Sequence, residues 1–355
     1  MRAVQAVVAA LIVLTAVSAG AAQRTFVSVH GNDANTCAVF APCRSFTAAL
    51  ANTDPNGELI VLDSGAYGRV TVAQPVTIEA PAGVFAGISV FASDNGIDVN
   101  APGATVTLRG LSINGQGGNV GINVAAVAAL RIDRCRVSNM GEQAVKIVAG
   151  NVVITDSYLS DNGHDGIWAF GVVDVLVERT VSTRNLSGSA FFAGARATLR
   201  NVSSTSNQFY GVYVQAGPTA TPTYVRAEEV TVAYNQQEGV RVDSLASSFG
   251  SVTISRSAIL ANGANGVNVL GFNGPVYATV SQSTLSNHPT IWPAVASNGA
   301  GAKVVVTRST LVDNGSAGFF QLNSGVFESD GTNTLRNNNG GGVQTLGTIG
   351  TFSLL

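Results

Sequence analysis

Only three histidines occur in the 355 residues, so places for acid–base chemistry near neutral pH are few. One lies in the stretch SDNGHDGIWAFG, residues 160–171, where Asp161, His164 and Asp165 crowd one turn. An imidazole beside a carboxylate can pass a proton, and Arg184 is a basic residue that would serve with them. His164, Asp165 and Arg184 are therefore the catalytic candidates, set against the plainer reading that turns favour Asn, Asp, Gly and His for their backbone geometry. His30 and His288 stand alone and read as turn residues. No run of Asp and Glu clusters as a calcium site would, so neither a metal nor a cofactor is expected; Glu228-Glu229 is the one adjacent acidic pair among the candidates, and strand neighbours point to opposite faces.

A second set of residues suits binding rather than bond-making. Short alternating segments follow a recurring Gly, and their outward positions read Asn123, Lys146, Trp168, Phe191, Tyr213, Arg241 and Asn268. Three aromatic side chains capped by Lys146 and Arg241 would give pyranose rings faces to stack on and acidic substituents a charge to meet. Longer connections at 215–224, 244–250 and 271–277 would wall a groove beside this strip, or fold over it and close it.

Both sets depend on a repeat. Asn, three residues, Gly and an apolar residue recur at Asn162-Gly166-Ile167, Asn207-Gly211-Val212, Asn235-Gly239-Val240, Asn262-Gly266-Val267, Asn314-Gly318-Phe319 and Asn338-Gly342-Val343, with looser copies from Asn114, Asn139, Asn185 and Asn287. The asparagines are 22 to 28 residues apart, a solenoid period. Alternation upstream of each Asn (VVITDSYLSDN, VTISRSAILAN, VVVTRSTLVDN) marks strands, and strands this short must stack on the next repeat to bury their apolar face. A single-stranded parallel β-helix of eleven or twelve coils follows. The repeated Asn would take the left-handed backbone of a corner and hydrogen-bond to its neighbours as a ladder. A further column, Arg134, Asp156, Arg179, Asn201, Glu229, Arg256, Gln282 and Arg308, never sets like charges side by side and reads as salt-bridging or solvated.

Composition agrees with a folded, uncharged rod: 46% hydrophobic, 11% charged and a net charge of −2 exclude a nucleic-acid partner read from a basic surface. Residues 1–22 read as a secretory signal, with Arg2, an apolar run from Val7 to Val17 and small residues Gly20 and Ala22 before the cut. Once it is removed no membrane insertion is expected, and the protein would be secreted, periplasmic or at the cell surface. In that oxidising setting Cys37 and Cys43 are expected to pair, while Cys135, in an alternating run, reads as a small buried hydrophobe.

The segment TFVSVHGNDANTCAVFAPCRSFTAALA (25–51), followed by GELIVLDSGAY (57–67), resembles the opening of secreted right-handed parallel β-helix proteins of the pectate-lyase-like superfamily. The resemblance implies a cap over residues 23–55 whose short helix, Arg44 to Ala51, plugs the first coil, and a right-handed β-helix over 56–355 closed by TFSLL. Cys37 and Cys43 depart from the family's usual Gly and aromatic and suggest a stapled cap. The superfamily holds lyases, hydrolases, epimerases and structural proteins alike. Binding of an extended, possibly acidic polysaccharide is the leading expectation; a polysaccharide-acting enzyme and a purely structural rod are the others.

Overall fold

The computed structural model describes residues 22–218, 221–289 and 291–352. The expected signal segment lies outside them except for Ala22, which opens the first strand, and so do the last three residues of the expected closure. Each coil contributes three strands. The coil around Trp168, for instance, runs Ile167–Phe170, Asp174–Glu178 and Val181–Thr183. Strands at the first position stack into sheet I, those at the second into sheet II and those at the third into sheet III. Ile97–Arg109 and Ile122–Asp133 run unbroken through I and II, which therefore hydrogen-bond as one 24-stranded sheet beside the 12-stranded sheet III. All these pairings are parallel, giving a solenoid of about 11 turns.

Alternation decides what fills the centre. Ile132, Ile154, Val177, Leu199, Ala227, Ile254, Val280 and Val306 lie in register on successive strands of sheet II, and all are buried. Such β-branched and aliphatic stacks supply the burial that a lone coil lacks.

Two corners per coil are made by single residues with left-handed backbone. The first lies between sheets II and III at Arg134, Asp156, Arg179, Asn201, Glu229, Arg256, Gln282 and Arg308, all with φ between 47° and 55°. This is the charged column, and it does pair along the axis: Arg179 donates to both oxygens of Asp156 at 2.8 Å, and Arg256 to Glu229 at 3.2 Å. The second corner corrects the expectation for the repeated Asn. The left-handed residue is the one before it, including Asp161, Arg184, Ser206, Tyr234, Ala261 and Asp313, and the Asn itself turns inward. Asn207 Nδ2 reaches Asn235 Oδ1 at 2.8 Å, and Asn235 Nδ2 reaches Asn262 Oδ1 at 2.8 Å, each amide also accepting a backbone N–H from the preceding rung. Not every rung is Asn: Met140 N donates to Asn162 Oδ1 at 3.0 Å, Asn262 N donates to His288 Nδ1 at 3.2 Å, and His288 N to Asn314 Oδ1 at 3.4 Å. The loose copy thus aligns at His288 rather than Asn287.

Left-handed backbone suits Asn and disfavours an aromatic side chain. Tyr234 sits there at φ 58° and is mostly exposed, so Tyr234→Asn is expected to stabilise the fold by about 0.5–1 kcal/mol, seen as a raised urea midpoint at unchanged slope. An unchanged or lowered midpoint would mean that the ring holds something in place.

The capping helix is shorter than expected, Phe46–Ala51. Ser45 is its N-cap, accepting from Ala48 N, and Phe46, Ala49 and Leu50 are buried. Strand Ala22–Val27 pairs in parallel with Thr53–Val61, so part of the expected cap already belongs to the first coil. Cys37 and Cys43 are joined, with Cα atoms 4.6 Å apart. Cys135 is buried, which pushes its thiol up to about 11.

Candidate functional site: an aromatic strip on sheet I

Parallel register places the outward residues of sheet I one above the next. Asn123, Lys146 and Trp168 form one run, and Tyr213, Arg241 and Asn268 another. Between them the expected Phe191 is wrong. It is fully buried and faces Ala169 and Val214, and Ala190 holds the column position between Trp168 and Tyr213. The cause is a corner one residue shorter: Asn185 reaches its Gly in three steps rather than four, and a one-residue slip moves every side chain to the opposite face. Counting from Gly188 instead of Asn185 would have found it.

Phe192 restores the surface that Ala190 lacks. Its ring lies 5.8 Å from Trp168 and 5.4 Å from Tyr213, and Phe170 stacks on Trp168 at 5.5 Å with planes only 7° apart. Tyr210, from the corner before Tyr213, joins at 4.9 Å, with Phe209 behind it at 5.9 Å. The aromatic surface is therefore wider than a single column. Lys146 Nζ sits 5.6 Å over Trp168 at one end, and the Arg241 guanidinium 5.4 Å over Tyr210 at the other. Phe170 and Phe209 are exposed, while Trp168, Phe192, Tyr210 and Tyr213 are half-buried.

Beneath the rings lies a polar network. Arg241 Nε donates to Asp243 at 2.9 Å and another guanidinium nitrogen to Glu238 at 3.4 Å. The Tyr213 hydroxyl lies 3.1 Å from both Asp243 oxygens, Gln215 Nε2 donates to Asp243 at 2.9 Å, and Asn268 Nδ2 to Glu238 at 2.8 Å. Burial, reinforced by the Asp243 charge, keeps the Tyr213 hydroxyl protonated far above the usual phenol range. Tyr213 is thus a fixed ring with its hydroxyl engaged from below. Arg241, expected as a cation capping the strip, is held by two carboxylates.

The long connections stack on one another along the axis. Ser248 Oγ donates to Gly217 O, and Asn273 Nδ2 to Ser244 O at 3.1 Å; Phe249 packs between Tyr224 and Tyr277, on sheet II. Among the described residues, Phe249, Tyr224 and Tyr277 make their ring contacts with one another and none with the rings of the strip.

The three catalytic candidates are each held by a different partner. Arg184 forms a two-pronged pair with Asp161, at 2.5 and 2.8 Å, which holds the Asp161 carboxyl below its usual range. His164 Nε2 lies 3.8 Å from Glu142. Asp165 is buried, and burial raises its carboxyl to about 6 against the opposing bond from Ser187. Among the described residues no group of three or more His, Cys, Asp or Glu is placed to hold a metal, and no helix is long and apolar enough to cross a membrane.

A concavity of about 650 Å³ lies elsewhere, on the outer face of sheet II, lined by Val153, Leu176, Thr198, Tyr224 and Arg226. Its Arg200 and Arg226 are taken up by Glu228, at 3.3 and 2.5 Å. The strip carries more weight than this shallow saddle, because contiguous ring faces supply a specific contact that size does not.

A stacked parallel coil with an outward aromatic surface defines the class: a parallel β-helix. Residues 109–285, just under half of the chain, match the family described as right handed beta helix region, in keeping with the parallel β-helix described above. Similar solved structures include two mannuronan C-5 epimerase A-modules of Azotobacter vinelandii. The AlgE6 module is 18% identical, covering 84% of this chain and 92% of its own at a TM-score of 0.60; the AlgE4 module is 16% identical, covering 84% and 91% at 0.63. Pectate lyase Pel9A is 15% identical, covering 90% of this chain and 80% of its own at 0.50. At such identities the likeness establishes the fold. No curated protein matches the sequence.

Proposed function

We propose that this protein binds an extended polysaccharide along sheet I, from Lys146 past Trp168, Phe192 and Tyr213 to Arg241, without a cofactor. The observation that carries this reading is the chain of ring contacts from Phe170 to Tyr210 on the outer face of sheet I. Five coils at a strand spacing of about 4.8 Å give a strip of roughly 20 Å, room for several sugar rings in a row. The structural neighbours, by their titles epimerases and lyases of polysaccharides, support this class of partner. One neighbour is titled periplasmic, which supports a location outside the cytoplasm.

The test is mobility in native gels containing single polysaccharides, beside a Trp168→Ala/Tyr213→Ala variant checked for unchanged β-type circular dichroism. Retardation by one polymer is expected to weaken at least about tenfold in the variant, since each stacked aromatic contributes on the order of 1 kcal/mol. Equal mobility of both proteins in every gel would end the proposal.

Catalysis is the second reading, favoured by the neighbours' titles and by the His164–Glu142 approach. It requires product: incubation with the retarding polymer should release shortened, unsaturated or epimerised chains, and lose this activity in His164→Ala. Polymer recovered unchanged leaves binding as the function.

A further inference from the structure

The two cations at the ends of the strip suggest an acidic ligand, but the charges around Arg241 point the other way. Arg241 is a quarter exposed and is engaged by Asp243 and Glu238, both buried carboxylates. One guanidinium against two carboxylates leaves that end with a surplus negative charge.

A corner column places a further carboxylate toward the other end. Successive backbone N–H groups of Ala144, Gly166, Gly188, Gly211 and Gly239 donate to the carbonyls of Asp165, Ser187, Tyr210, Glu238 and Asn265, which sets these five residues in line beside the strip. Asp165 therefore occupies on the Trp168 coil the place that Glu238 occupies on the Arg241 coil. Glu142 lies in the turn before Lys146, beside His164. Arg241 thus shares its end of the strip with two carboxylates, Glu238 and Asp243, while Asp165 and Glu142 stand on the corner and the turn toward the Lys146 end.

On the reading that the strip holds a polysaccharide, we infer that it selects an uncharged glycan and discriminates against polyuronates. A pyranose presents C–H faces to Trp168, Phe192 and Tyr213 whether or not it is charged. A uronate adds a carboxylate to every ring, and over Tyr213 and Arg241 that carboxylate meets like charge with no unpaired cation to receive it. At separations of several ångströms near a protein surface such repulsion amounts to about a tenfold loss of affinity at low salt, shrinking as salt screens it.

The experiment uses polymer pairs that share a backbone and differ in charge: polygalacturonate beside its methyl ester, and alginate beside its carboxyl-reduced form. The uncharged member of a pair is expected to retard the protein at least about tenfold more strongly at low ionic strength. Glu238→Gln, which leaves Arg241 its Asp243 partner, is expected to narrow that ratio about two- to five-fold by removing one of the charges. Equal or stronger retardation by a polyuronate, abolished in Trp168→Ala/Tyr213→Ala, would overturn the selectivity while leaving the strip as the binding face. Retardation that survives in that double variant, or none in any gel, would overturn the strip and the selectivity together.

Discussion

Replacing Asn207 by Ala is expected to cost about 3–5 kcal/mol, the largest loss from any single truncation at the corners. Its side chain is fully buried and occupies one rung of the ladder. Its Oδ1 accepts the backbone N–H of Asn185 at 3.0 Å, and its Nδ2 donates to Asn235 Oδ1 at 2.8 Å and to Ser204 Oγ at 3.3 Å. Alanine leaves the Asn185 N–H buried and unpaired and opens a hole too deep for easy solvation. Unmaking a buried hydrogen bond from one side costs more than the bond contributed, because the partner loses water as well. A solenoid shares this loss with both neighbouring coils, so chemical denaturation should show a lowered midpoint and an earlier phase over the central coils. A midpoint within the error of the unmodified protein would show that the corner is held by backbone geometry alone.

The second large effect is on pH dependence, and it comes from two buried groups that oppose each other. His288 is a ladder rung whose Nδ1 accepts a backbone N–H and whose Nε2 is buried without a partner. Burial lowers its pKa to about 4, so the unfolded chain takes up a proton first and the folded state loses stability as pH falls from 6.5 to about 4. Burial raises Asp165 to about 6, so there the folded state takes up the proton first and gains stability as pH falls from about 6 to 3.8. Each shift corresponds to about 3 kcal/mol, and the two nearly cancel in the unmodified protein. Single variants should separate them. His288→Asn is expected to gain on the unmodified protein by about 3 kcal/mol between pH 6.5 and 4, and Asp165→Asn to be the more stable by about 3 kcal/mol at pH 7, with the advantage gone near pH 4. Other titrating groups are common to each pair of proteins and drop out of the difference. Unfolding free energies across that range check both signs, and parallel curves for either variant would contradict its assignment.

The coil was legible because its physics repeats. Each strand shows period-two alternation, and each corner needs one residue that hides an amide and another that tolerates positive φ, so a faulty copy is outvoted by its neighbours. What could not be read lies where a coil departs from the average. The corner from Asn185 to Gly188 lost one residue, which turned Phe191 inward and gave its place on the strip to Phe192. His288 replaced an Asn in a loose copy, and only the neighbours' hydrogen bonds identify it as a rung.

The strip shows the same division. Alternation placed Lys146, Trp168, Tyr213 and Arg241 on one face, because that depends on each strand separately. Tyr210 and Glu238 each precede the recurring Gly, a fixed place in the repeat but one outside the alternation of the strands, so strand faces alone did not bring them to Tyr213 and Arg241. Asp243 did have one: two residues beyond Arg241 on a strand is the same face. That spacing alone makes Arg241 a neutralised cation rather than a free one.

The most direct measurement of the binding face uses the protein's own fluorescence. The sequence has two tryptophans, Trp168 on the strip and Trp292, so Trp292→Phe leaves Trp168 as the sole reporter. Titration with oligosaccharides cut from a polymer that retards the protein should shift and quench Trp168 emission in a saturable manner, with half-saturation falling as the oligosaccharide lengthens toward the reach of the strip. Retardation by the polymer with no change in Trp168 emission at any length would place the sugar on another face and contradict the account.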